Sequence, residues 1–473
     1  MQKIDGVAAL AHAPGGHRLD ASLGLWTLTL LGVGATVGTG IFFVMAEAVP
    51  KAGPAVIISF IVAAITAGLT ALCYAELASS IPASGSSYSY ARAAFGDFVA
   101  FVVAACLLLE YALAASATAI GWSGYLNNFL GNALGWSIPE TLRSPMLVAG
   151  KAGLEVHVGH INLPPVILVV LCAVLLLRGT RESALVNAAM VLLKLLVLVF
   201  FAVIAWGGFR SENFTPFFNA SGMSGVTAAA GTVFFSFIGL DTVATAAAET
   251  RDPKRTVPLG ILLGLLIVTV VYMLVAVTAL GAQPAAKFEG QEAGLAEILK
   301  AVTGKTWPAI VLSAGAVISV FSITLVTIYG QTRILYAVSR DGLLPNVFQR
   351  LARRAAVPGA NTIIVSVLVA VVAGTVDSGY LWDMVSLGTL VAFIVVSASV
   401  PVMRRRMRRT GTTRLADGFR VPFGPFVVPT LSVLACLYIV KDLSTVTFEV
   451  FAAWMFVAVS GFLLYRRVAS INR

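Results

Sequence analysis

Long apolar runs separated by short polar connections dominate this chain. Stretches able to cross a hydrocarbon core, about 17 to 25 residues each, begin near Leu23, Pro54, Phe98, Leu163, Leu185, Val226, Val257, Trp307, Asn361, Leu381, Phe423 and Val446. The pattern predicts an all-α integral membrane protein of about twelve transmembrane helices. No hydrophilic stretch reaches the roughly 50 residues of a separate soluble domain, so no appended catalytic domain is expected. The first run is too long for a signal peptide, lacks a small-residue cleavage site and is followed by further spans. It is therefore expected to stay in the mature chain.

Composition agrees with this pattern. Of 473 residues, 58% are hydrophobic and 11% charged, against roughly 25% charged in a soluble domain. Placing the N-terminus inside puts 23 of the 32 Lys and Arg residues in cytoplasmic segments, 8 in outer ones and Lys194 within a span. Arg340, Arg350, Arg353 and Arg354 after the eighth span, and Arg404, Arg405, Arg406, Arg408 and Arg409 after the tenth, carry most of that bias. Such an asymmetry orients the chain with both termini cytoplasmic. An arginine run beside a span faces anionic lipid, so the net charge of +10 does not imply nucleic-acid binding. Cys73, Cys106, Cys172 and Cys436 all fall within spans, away from any oxidising compartment, and no disulfide is expected.

Two spans are interrupted. Gly32, Gly34, Gly38 and Gly40 fall within nine residues of the first span, and each weakens a helix by about 1 kcal/mol relative to alanine. The same glycines would also suit close packing of two continuous helices. Unwound backbone at membrane depth is tolerated only where it borders protein or a water-filled cavity. A break here predicts a second half-helix beginning near Ile41, whose free N–H groups and positive dipole end would face a carboxylate. In the sixth span, Phe234 to Asp241 place a serine, a glycine and an acid at the centre. A break there leaves free carbonyls suited to an ammonium group, the division of labour expected of discontinuous helices.

Charged residues inside spans add candidate chemistry. Lys194 lies about 12 Å into the fifth span at 1.5 Å per residue, where burying its charge is expensive and marks an ion or proton pathway; snorkelling to the interface is the competing reading. Glu110 in the third span would recognise a cationic side chain or pair with a neighbouring polar group. Asp241 and Glu76 are expected to lock helix ends and cytoplasmic loops. Ser313, Ser319, Ser322 and Thr324 on the eighth span would hydrogen-bond Lys194 or substrate, or simply pack. His12, His17, His157 and His160 lie outside the spans, no Cys/His ligand spacing occurs, and neither a metal, a cofactor nor a membrane enzyme is expected. The outer loop from Asn127 to Asn162 carries no functional assignment.

The stretch from Tyr74 to Tyr90 resembles the second-to-third helix signature of the amino acid/polyamine/organocation superfamily, in its cationic amino-acid transporter branch and bacterial relatives. The likeness extends through Gly38 to Phe42, Glu249 to Pro258, Ser339 to Leu343 and Phe419 to Pro425. It implies two inverted five-helix repeats (residues 23–208 and 225–403) with two appended helices (423–466), and uptake or exchange of amino acids by alternating access. It further implies carboxylate binding at Thr39, Gly40 and Ile41, ammonium binding at Phe235, Ser236 and Ile238, and a gating role for Phe235. By the same resemblance Lys194 stands where sodium sits in sodium-coupled relatives and serves proton coupling, and Val320 borders an apolar side-chain pocket, which would favour a neutral amino acid. A polyamine or other organocation carrier, an exchanger or an amino-acid sensor of the same fold are the alternatives.

Overall fold

The computed structural model describes residues 23–37, 40–80, 86–150, 153–179, 184–239, 242–351, 358–410 and 418–471. His12, His17, Arg353 and Arg354 lie outside them. Among the described residues, eight helices are long and apolar enough to cross a membrane, and four shorter apolar helices accompany them; their positions follow the twelve apolar runs. The first span is split into α1 (Leu25–Thr36) and α2 (Val44–Ala52), and the second is α3 (Val56–Ser80). A short helix, α4 (Ser86–Phe95), leads into the third span, α5 (Asp97–Leu134). The fourth and fifth are α6 (Leu163–Leu177) and α7 (Ala184–Trp206), and the sixth is split into α8 (Gly222–Phe234) and α9 (Thr242–Thr245). After α10 (Pro253–Ala282) comes a surface helix, α11 (Gly294–Thr303), then α12 (Trp307–Arg340), α13 (Gly359–Thr375), α14 (Ser378–Thr410), α15 (Val427–Val440) and α16 (Thr445–Ile471).

Local chemistry sets the ends. Proline stands in the first turn of α6, α10 and α12, where its missing N–H costs no hydrogen bond and its fixed φ suits the helix. The 38-residue α5 stops at Gly135, whose left-handed φ of 69° lets its N–H cap Leu130 O. The loop after α5, which carried no assignment from sequence, holds an antiparallel hairpin of β1 (Leu147–Gly150) and β2 (Gly153–Val156). It is tied to the end of α13 through Leu147 and Val376.

Helix α5 lies at the centre, packed along α12 and α14, while α10 packs on α3 and α1, α8 on α2 and α3, and α13 on α6. In α7 the buried residues Val191, Lys194, Leu198, Phe201 and Ala205 follow the 3.6-residue period, whereas Leu192, Leu196, Val199 and Val203 are exposed. Lys194 therefore shares the stripe facing the protein, which overrules snorkelling. All four cysteines are buried free thiols. Glu76, expected to act as a lock, accepts Arg404 Nε at 2.5 Å, Arg404 Nη2 at 2.6 Å and the Val421 amide at 2.7 Å. It thereby fastens α3 to the end of α14 and to the segment that follows.

Candidate transport site at two helix breaks

The first span leaves helical geometry after Thr36. Val37 is extended, with ψ of 118°. Gly38 and Thr39 lie outside the described residues, and the chain resumes at Gly40, whose carbonyl accepts the amides of Phe43 at 2.9 Å and Val44 at 2.8 Å. Regular helix begins at Val44, three residues beyond the expected Ile41, because Ile41 to Phe43 form a turn. The amides of Gly40, Ile41 and Phe42 lie just ahead of α2, at its positive end. Ile41 is fully buried.

The sixth span breaks at the expected residues. After Phe234 the backbone tightens into a 3-10 turn over Phe235–Phe237, and Ile238 is extended with ψ of 142°. Gly239 then takes φ of 109°, a region open to glycine. Asp241 lies outside the described residues. Phe235 and Ser236 are fully buried and Ile238 is nearly so.

The two breaks touch. A Cβ at Gly40 would lie 2.1 Å from Ser236 Oγ and 2.8 Å from Ser236 Cα, and one at Gly239 would lie 2.7 Å from Ala35 O. Only glycine allows this approach. Two side chains from other helices bind the carbonyl end of α1: Lys194 Nζ donates to Gly34 O at 3.2 Å, and the Tyr272 hydroxyl of α10 sits 2.9 Å from Thr36 O. That hydroxyl is also 2.8 Å from Ser236 O, so a single O–H proton is shared between carbonyls of both breaks. Ser236 Oγ is buried and makes no hydrogen bond, a donor and acceptor held ready beside Gly40.

Aromatic rings cover the breaks on the side away from the arginine-rich helix ends. Trp382 of α14 meets Phe235 edge-on at 4.6 Å and Phe43 at 6.1 Å. The Tyr125 hydroxyl holds Phe42 O at 2.7 Å. Phe235, the residue expected to gate, lies among these rings.

The remaining candidates lie on α5 and α12. Glu110 is buried on α5, its Cβ alongside Gly388 of α14. Val320 is fully buried on α12, and its carbonyl accepts the Thr324 hydroxyl. Ser313 donates to Asn128. Ser322 lines an apolar crevice of about 250 Å³ with Trp122, Met190, Val317, Ile318 and Phe321. Ile318 there is 46% exposed, so the crevice opens sideways toward lipid and is distinct from the breaks. Sequence reasoning missed Tyr272, Trp382 and Lys51: a tyrosine or tryptophan in an apolar run carries no mark of its partner.

A helical membrane bundle in which two interrupted helices meet is the architecture of a secondary transporter. The chain belongs to the amino acid permease family, whose sequence profile matches residues 23–465; it is a transporter and not an enzyme. It is 38% identical over 459 residues to the branched-chain amino acid permease BcaP of Bacillus subtilis (strain 168), covering 97% of this chain and 96% of that one. It is also 38% identical over 456 residues to the methylthioribose transporter of the same organism, covering 96% and 95%. To the vacuolar cationic amino acid transporter 4 of Arabidopsis thaliana it is 33% identical over 424 residues, covering 85% and 66%.

Proposed function

We propose that the protein is a proton-coupled amino-acid symporter of the cytoplasmic membrane, working by alternating access. The observation that carries this reading is Lys194 Nζ on the Gly34 carbonyl. A protonated Lys194 donates to the broken end of α1 and offsets the negative pole of its dipole. Loss of the proton removes the charge and leaves only a weaker neutral hydrogen bond, so proton occupancy and the shape of the break are linked, and linkage is reciprocal. The substrate carboxylate is assigned to the amides from Thr39 to Ile41, and its ammonium to the carbonyls of Phe235, Ser236 and Ile238, with the Ser236 hydroxyl between. Glu110 and Val320 are assigned to the side-chain end of the substrate. The arginine-rich helix ends are assigned to the cytoplasm together with both termini.

Helix packing supports two inverted repeats, residues 23–208 and 225–403, followed by appended helices. The contact of the first span with the seventh has its counterpart in that of the second with the sixth. That of the third with the tenth has its counterpart in that of the fifth with the eighth. The second and seventh, third and eighth, and fourth and ninth pack on each other, as a two-fold axis in the membrane plane requires.

A second reading has a specific observation behind it, the equal identity to a methylthioribose transporter. That molecule has neither carboxylate nor ammonium. A thermal-shift screen of the purified protein against the twenty amino acids, putrescine and methylthioribose separates the two, since a ligand at about 100 times its Kd stabilises by about 2.7 kcal/mol. A neutral amino acid should raise the melting temperature; stabilisation by methylthioribose or putrescine alone would overturn the substrate assignment. In proteoliposomes, Lys194→Ala should abolish uptake driven by a pH gradient, and uptake that still follows the gradient would overturn the coupling role.

A further inference from the structure

Helix α14 carries an ion pair at each end. Near its start Asp383 accepts Lys51 Nζ of α2 at 3.3 Å, while Thr232 of α8 accepts the same Nζ at 2.7 Å and donates to Asp383 at 3.1 Å. The outer halves of both broken helices are thus fastened to α14 through one three-residue knot. Glu47 of α2, beside Trp382, and Asp377 are the other charged groups close by. Near its far end Arg404 holds Glu76 of α3. From residue 383 to 404 a helix rises about 32 Å at 1.5 Å per residue, close to the roughly 30 Å hydrocarbon core. The two pairs therefore stand at opposite faces of the membrane on one continuous helix.

Between them α14 touches the path itself. Trp382, next to Asp383, packs on Phe235 and Phe43 over the breaks. Phe393 packs on Phe234 and Tyr74 below them, at 5.7 and 5.5 Å. Releasing Lys51 frees α2 and the ring of Phe43 from Trp382, whereas releasing Arg404 frees the end of α3.

We propose that α14 is a strut with two latches: Lys51–Asp383–Thr232 closes the route on the arginine-poor side, Glu76–Arg404 closes it on the arginine-rich side, and the transport cycle breaks one while the other holds. The latches are unequal. Glu76 receives two guanidinium hydrogen bonds and a backbone amide, with side-chain exposures of 8% for Glu76 and 18% for Arg404, whereas Lys51 is a point charge 32% exposed. Bidentate pairing away from water is the stronger arrangement, so the arginine-poor side opens more readily at rest.

The test uses Ser236→Cys as a reporter at the breaks, with the four native cysteines replaced. A membrane-impermeant methanethiosulfonate is applied to one face of oriented proteoliposomes at a time, at one pH and without substrate. Asp383→Asn should speed labelling from the arginine-poor face at least 10-fold and slow it from the other. Glu76→Gln should do the reverse, and Arg404→Lys, which keeps the charge but loses the fork, should do so more weakly. The exchange Lys51→Asp with Asp383→Lys should return labelling to within about threefold of the parent. Rates unchanged in Asp383→Asn and in whichever of Glu76→Gln or Arg404→Lys is recovered folded, or both latch variants opening the same face, would overturn the proposal. Because no proton gradient or ligand enters the assay, it stands even if Lys194 has no part in coupling.

Discussion

Replacing Tyr272 with phenylalanine removes one oxygen from the junction of the two breaks and nothing else. The ring stays packed between Phe60 and Phe237, at centroid distances of 6.3 and 5.4 Å, so the fold should survive. What is lost is the hydroxyl lying 2.9 Å from Thr36 O and 2.8 Å from Ser236 O. Both carbonyls sit where regular helix has ended, and Tyr272 is fully buried, so no bulk water replaces the donor. Leaving a buried acceptor unsatisfied costs about 1 to 3 kcal/mol, or roughly 5- to 150-fold in the balance between the closed junction and any arrangement that parts the breaks. Substrate affinity and exchange rate of purified Tyr272→Phe in proteoliposomes, with the melting temperature as control, read this directly. Affinity should fall by about one to two orders of magnitude while the melting temperature drops by only a few degrees. Wild-type affinity and exchange in that variant would show that the hydroxyl does not hold the breaks together.

Gly40→Ala should be more severe: its Cβ would meet Ser236 backbone at 2.8 Å, which cannot rotate away, and overpacking of this kind costs about 1 to 3 kcal/mol. Binding measured on purified protein should be lost, and wild-type binding would place the substrate elsewhere. Gly239→Ala combines a φ of 109° with a 2.7 Å approach to Ala35 O, and its melting temperature should fall further than that of Tyr272→Phe. Lys194→Met keeps the length of the side chain but removes the charge and the donor to the Gly34 carbonyl, a loss of about 1 to 3 kcal/mol; it should melt a few degrees below the wild type and fail to couple uptake to a pH gradient. A Lys194→Met protein that does not fold would give the lysine a structural role.

The spans were legible because an apolar run of membrane length has few other uses. The break in the first span showed itself through four glycines, and that in the sixth through serine and glycine amid phenylalanines. The start of α2 fell three residues late because a non-helical turn after Gly40 leaves no compositional mark. Tyr272 was hidden for a related reason: its value lies in two carbonyls 36 and 236 residues away in the chain, a relation no local pattern carries. Lys51 and Asp383 are 332 residues apart, and only the packing of α2 against α14 brings them together. Glu76 was read as a lock from its place at a helix end, but its partner Arg404 looked like one more topology-setting arginine. Glu110 was legible as a carboxylate inside a span and Val320 only by resemblance; Glu110 lies beside Gly388 of α14, and the Val320 carbonyl accepts a hydrogen bond within α12.

The most direct test of recognition by the two breaks compares three ligands on the purified protein: the amino acid that stabilises it most, its methyl ester and its N-acetyl derivative. The ester lacks the carboxylate assigned to the amides at Gly40 and Ile41, and the acetyl compound lacks the ammonium assigned to the carbonyls around Phe235 and Ser236. Hydrogen bonds to charged groups contribute about 1.5 to 3 kcal/mol each, so each derivative should bind at least 10-fold, and up to roughly 100-fold, more weakly than the parent. Equal binding of either derivative would contradict the division of labour between the two helix ends.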